Sequence, residues 1–159
     1  MTKTPVEKAF TIDTSSIKFG PGITNEAGFE LSRLAAKRVM VVTDRKMADS
    51  HAVKSATESL RREGIDHTIF DQVSIEPTDD SLKNAISFAI EGKFDGFLPV
   101  GGGSSIDTAK AANLYSTYPG DFLEYVNAPI GKGIPVPGDL KPLVAVPTTI
   151  GTGSETTGV

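Results

Sequence analysis

A chain of 159 residues, 38% hydrophobic and 23% charged, has the size and balance of one globular domain with a buried core. Its formal net charge of -4 excludes the basic face of a nucleic-acid-binding surface, and the lack of cysteine excludes disulfides and thiolate metal sites. No apolar run approaches the roughly 18 residues of a membrane span, and MTKTPVEKAFTIDTSS lacks a charged-then-apolar signal pattern, so the expected location is cytoplasmic, with no membrane partner.

In chain order, TIDTSSIKFGPG (11–22) alternates weakly and is expected to form an edge hairpin. KRVMVVTD (37–44) is a short β-branched run closed by polar residues, as in a buried parallel strand. HAVKSATESLRREG (51–64) puts Val53, Ala56 and Leu60 on one helical face, with Gly64 as a natural C-terminal cap. HTIFD (67–71) reads as a second strand. TDDSLKNAISFAIEGK (78–93) has Thr78, Asp79 or Asp80 to open a helix, Leu82, Ile86 and Ile90 at intervals of four, and Gly92 to stop it.

FDGFLPV (94–100) is a third strand, followed through glycines by a helix from Ser104. NAPIGKGIPVPGDLKP (127–142) is an exposed loop, and PLVAVPT (142–148) a fourth buried strand. Strands alternating with helices in this way indicate α/β: a Rossmann-like, doubly wound parallel sheet. PTTIGTGSETTGV (147–159) stops without a cap, a terminal helix or a polar tail, so the chain is expected to be cut from a larger pattern.

Three glycines, Gly101, Gly102 and Gly103, occupy the strand-to-helix junction VGGGSSIDTAKAANLY. In an open parallel sheet ligands collect outside the carboxyl ends of strands, and a glycine turn opening a helix there offers backbone N–H groups beside the positive end of the helix dipole. Phosphate is the natural guest. Missing Cβ atoms admit it to the main chain, Ser104 adds a hydroxyl donor, and Asp107 is expected in the first helical turn. The plainer alternative is a tight turn that needs positive φ. Ile106 stands where the G-x-G-x-x-G fingerprint has its third glycine, so the motif by itself says phosphate and not dinucleotide.

Asp44, at the end of the first strand, either accepts hydrogen bonds from an adenosine ribose and repels a 2′-phosphate, or caps a short helix at RKMADS. In PTTIGTGSETT, Thr148, Thr149, Thr152 and Ser154 place hydroxyls at another strand end, with Gly151 and Gly153 giving close backbone access.

Taken together and in this order, VTD, VGGGSSIDTAKA and AVPTTIGTGSETT resemble the iron-containing (group III) alcohol dehydrogenase family, from about Phe19 to the end of the chain. Within it, EPTDDS, KAANLYSTYP, DFLEYVNAPIGKG and LKPLVAVPTT are most similar to hydroxyacid–oxoacid transhydrogenases, which pass a hydride from 4-hydroxybutyrate to 2-oxoglutarate through a bound nicotinamide. The resemblance implies an NAD- and metal-dependent oxidoreductase acting on a small hydroxyacid or alcohol and forming homo-oligomers. It implies that residues 1–159 are the dinucleotide-binding α/β domain and that a helical metal-binding domain is absent from this chain.

On the same resemblance, Gly101, Gly102, Gly103 and Ser104, with Asp107, hold the pyrophosphate; Asp44 holds the adenine ribose; and Thr148, Thr149, Thr152 and Ser154 approach the nicotinamide half. Many members have Asn-Pro where this chain has Glu76-Pro77, so Glu76 is left out of the site. The family's divalent metal, iron or zinc, is held by one Asp and three His downstream of the threonine motif, and neither His51 nor His67 matches a ligand position. No catalytic or metal-ligating residue is therefore assigned, and the chain alone is expected to be inactive. The alternative is a non-catalytic nucleotide-binding regulatory module, which an open reading frame ending at Val159 would favour.

Overall fold

The computed structural model describes residues 15–157. At its centre β1 (Arg38–Val42) pairs in parallel with β2 (Asp66–Phe70) on one side and β3 (Gly96–Gly101) on the other. β4 (Val146–Pro147) lies beyond β3, giving a parallel sheet ordered β2-β1-β3-β4. Side chains alternate across a strand, and β1 is apolar on both faces because both are covered. Val39 and Val41, with Leu98 and Val100 of β3, pack against α1 (Ala27–Arg33) and α2 (His51–Arg62) through Leu31, Val53, Ala56 and Leu60. Met40, Val42 and Phe97 pack on the opposite face against α3 (Asp79–Gly92) and α4 (Gly103–Thr117) through Ala85, Ala89, Ala109 and Ala112. The doubly wound α/β architecture expected from the alternation is the one observed.

The helix signals act locally as their chemistry requires. Ser50 caps α2, its hydroxyl accepting from the Val53 N–H, and Gly64 follows that helix at φ 67°, the left-handed conformation glycine adopts without a Cβ penalty. Thr78 opens α3 in a reciprocal capping box with Ser81. α4 is buried on almost every side; within it Asn113 ties down the segment before β4, donating to the Lys141 carbonyl and accepting from the Lys141 N–H.

Several expectations change. The hairpin over 11–22 falls partly outside the described residues, and 15–22 contain no strand: Gly22 at φ 75° opens a short 3-10 helix, Ile23–Glu26, that runs into α1. β2 is an edge strand with Ile69 40% exposed, not a buried one. The stretch 142–148 contributes only the two residues of β4 and an isolated bridge from Leu143 to Phe97, because Pro142 and Pro147 lack the N–H a longer ladder needs. In α3 the packed face is Ala85, Ile86 and Ala89, while Ile90 points out. Gly92 lies inside α3, where a Cβ would collide with the Phe94 ring, and Lys93 takes the left-handed position after it. The 127–142 segment has no helix or strand and is mostly exposed, as its composition implies.

Candidate functional site

The strand order has a consequence for where a ligand fits. β1 leads into α2 on one face and β3 leads into α4 on the other, so the two connections diverge from adjacent strands. That divergence opens a crevice outside the carboxyl ends of β1 and β3, the place where ligands bind in open α/β sheets. Thr43, fully buried, joins the two strand ends: its hydroxyl donates to the Val100 carbonyl at 2.8 Å.

Asp44 follows directly. One carboxylate oxygen accepts from the N–H groups of Lys46 (2.8 Å) and Met47 (3.1 Å), and the Asp44 carbonyl accepts from Met47 and Ala48. The turn-capping alternative is thus realised. The other oxygen carries no hydrogen bond among the described residues, and Asp44 lines a cleft of about 370 Å³ with Lys46, Asp71, Gln72 and Ile75. A ribose hydroxyl therefore has an acceptor left to meet.

Across the crevice, Gly101 ends β3, Gly102 is the N-cap of α4 and Gly103 its first residue; no side chain caps this helix. None of the three has a positive φ, so a left-handed turn is not their reason. Close approach is. A Cβ on Gly101 would lie 2.4 Å from the Ser105 hydroxyl, one on Gly102 3.2 Å from the Thr149 side chain, and one on Gly103 3.1 Å from both the Ser154 hydroxyl and the Thr152 methyl. The glycine turn and the threonine loop, far apart in sequence, are in contact.

The threonine loop begins where the Thr148 N–H donates to the Gly101 carbonyl at 2.9 Å, extending the β3–β4 pairing by one bond. Thr148, Thr149 and Thr152 are exposed and Ser154 is buried. Here positive φ does matter: Gly151 (125°) and Gly153 (70°) make the bends that fold the loop back over Gly102 and Gly103.

Two expected contributions are modified. The Ser104 hydroxyl donates to the Ile75 carbonyl, holding the segment after β2 against the glycine turn. Asp107 is exposed and not in the first turn, which contains no acidic residue, because α4 already begins at Gly103. It stands instead beside Lys110, whose ammonium burial pushes below the usual lysine range while the carboxylates of Asp107 and Glu155 oppose the shift. Lys110 Nζ donates to the Thr157 carbonyl (2.5 Å) and hydroxyl (2.9 Å). Thr43 and Lys110 are the two residues that reading the motifs leaves out of the site.

His51 is exposed with its Nδ1 on the Ser55 hydroxyl, and His67 has its Nδ1 near the Ile65 carbonyl. Among the described residues no three of His, Asp or Glu come together in a way that would hold a metal ion. A metal does not fit this set, and no chemistry is routed through one here.

Comparison with known proteins bears on this geometry. The model of the family described as "Iron-containing alcohol dehydrogenase" matches residues 14–159. The mitochondrial hydroxyacid-oxoacid transhydrogenase of Bos taurus is 55% identical over 152 residues, covering 95% of this chain and 33% of the relative; that of Homo sapiens is 53% identical, covering 95% and 32%. Among solved structures, 1,3-propanediol oxidoreductase superposes with a TM-score of 0.83 at 31% identity, covering 94% of this chain and 38% of that one. The NADH-dependent butanol dehydrogenase A of Thermotoga maritima gives 0.84 at 24% identity, covering 95% and 37%, which supports the fold. The chain spans about a third of the length of the curated relatives it matches. The expected cytoplasmic location does not stand, since these relatives are named mitochondrial. Targeting is carried by leader segments distinct from the folded body, so apolar runs and core composition never bore on the compartment.

Proposed function

This chain belongs to the iron-containing alcohol dehydrogenase family, and on that premise we propose that residues 1–159 are the NAD-binding domain of a hydroxyacid or alcohol oxidoreductase related to the hydroxyacid-oxoacid transhydrogenases. The observation that carries this reading is the convergence at the β1/β3 switch point of a strand-end carboxylate, an uncapped helix N-terminus and a hydroxyl-bearing loop.

Each part has a task in binding a dinucleotide. Asp44 accepts from the adenine ribose with its open oxygen, and its charge disfavours a 2′-phosphate. The N–H groups at Gly102, Gly103 and Ser104 meet the pyrophosphate at the positive end of the α4 dipole, where a side chain on either glycine would push the threonine loop out of place. Thr149, Thr152 and Ser154 bound the far side, toward the nicotinamide. Bound nicotinamide supplies hydride acceptance and donation; the chain's own residues hold and orient it. The substrate is a small hydroxyacid such as 4-hydroxybutyrate with a 2-oxoacid as acceptor, as the names of the relatives support.

Amide NMR shifts on adding NAD test the assignment. Perturbations at Asp44, Gly101 to Ser104 and Thr148 to Ser154 are expected. Shifts confined to the opposite end of the sheet, around Lys37 and Asp95, would remove the crevice as the site.

A further inference from the structure

We propose that Lys110 is a positioning residue that clamps the threonine loop against α4 and so sets the width of the crevice over the glycine turn; the consequence for cofactor rests on the reading of that crevice given above. The loop needs such a tie. Its bends sit at Gly151 and Gly153, both at positive φ, and Ile150 is fully exposed, so neither backbone stiffness nor an apolar anchor holds its middle. Its near end is fastened by the bond from Thr148 to Gly101. At its far end the Glu155 carbonyl meets only the Ser15 hydroxyl, at 3.4 Å, whereas Thr157 receives two hydrogen bonds from Lys110, 47 residues away in sequence.

The chemistry of the clamp is specific. A lysine stem is long and flexible, and an unpaired ammonium on a helix surface ordinarily stays in water. Lys110 is half-buried instead, and a partly desolvated ammonium is kept only where donors find acceptors. The Thr157 carbonyl and hydroxyl supply two. Asp107, one turn back on α4, and Glu155, on the loop itself, favour the charged form against burial. The charge therefore links both elements across the interface that Thr149, Thr152 and Ser154 make with Gly102 and Gly103.

Two substitutions in this chain, Lys110→Met and Lys110→Arg, separate a clamp from a merely structural lysine. The readouts are 15N relaxation order parameters of the loop amides and calorimetric titration with NAD and with AMP, which needs only the Asp44 cleft. Lys110→Met should lower the order parameters at Gly151, Gly153 and Thr156 while β1 and β3 keep theirs, and should weaken NAD by about tenfold, the loss of a charge-assisted hydrogen bond, with AMP unchanged. Lys110→Arg, which retains donors and charge, should recover most of both. Unchanged loop order in Lys110→Met, or equal weakening of NAD and AMP, overturns the clamp. If the unsubstituted chain binds neither nucleotide, the cofactor reading fails, and the loop order parameters alone still decide the clamp.

Discussion

Asp44 has one oxygen committed to the turn after β1 and one without a hydrogen bond, so two replacements separate its roles. Asp44→Asn keeps an acceptor for the Lys46 and Met47 amides and removes the charge. It should leave thermal stability nearly unchanged while narrowing the preference for NAD over NADP. Asp44→Ala removes both functions: about 1 kcal/mol of stability, as for a lost cap, and roughly tenfold to a hundredfold in NAD affinity. Unchanged NAD affinity in Asp44→Ala would take the residue out of the site. Lys110 carries a pH signature. Its folded pKa lies below the model value of 10.5 because burial disfavours the ammonium, so the cost is present in full at neutral pH and disappears as pH rises through the folded value toward 10.5. The stability of the unsubstituted chain relative to Lys110→Met should therefore improve across that alkaline window, measured by thermal melts at matched pH. A difference that shrinks with pH contradicts the assignment. Asp44 was visible in the sequence as a carboxylate at a strand end, but which oxygen caps the turn depends on coordinates. Thr43 was not visible at all, since in VVTD a threonine reads as one more β-branched strand residue.

At the scale of elements, the glycine junction was legible because three glycines between a strand and a helix have few uses. Their reason was only half legible: positive φ and close approach give the same residue, and the observed dihedrals select close approach. Gly102→Val places a branched side chain where Thr149 lies, so circular dichroism should report a retained fold and calorimetry a lost NAD site. Intact binding in that variant would reduce the junction to a simple connection. α1 escaped the periodicity because Gly28 sits on its packed face, weakening the helical signal. The structure explains the glycine: a Cβ there would lie 2.3 Å from the Ser59 carbonyl, and the Gly28 N–H donates to the Ser59 hydroxyl at 2.9 Å. Gly28→Ala gains helix propensity yet should destabilise the fold by about 1–3 kcal/mol through overpacking, read from denaturant unfolding. A more stable Gly28→Ala would contradict the close α1–α2 packing. The length of β4 was overestimated because PLVAVPT is β-branched enough to read as a strand, whereas its prolines limit pairing to two residues.

Across the whole molecule, the order β2-β1-β3-β4 matters more than any one motif, because it brings the ends of β1 and β3 together and thereby Asp44, the glycine turn and the threonine loop. Strand alternation predicted a parallel sheet with helices on both faces, but strand order follows from how the faces pack and could not be read residue by residue. The described residues assemble no metal cluster, so this chain is expected to form no NADH from 4-hydroxybutyrate or simple alcohols; metal-dependent turnover in an absorbance assay would contradict that. The central claim is that the crevice is a dinucleotide site selective for NAD. Calorimetric titration of the 159-residue chain with NAD and, separately, NADP tests it most directly. The account predicts one NAD per chain, bound more tightly than NADP; no heat with NAD, or NADP bound as tightly, would contradict it.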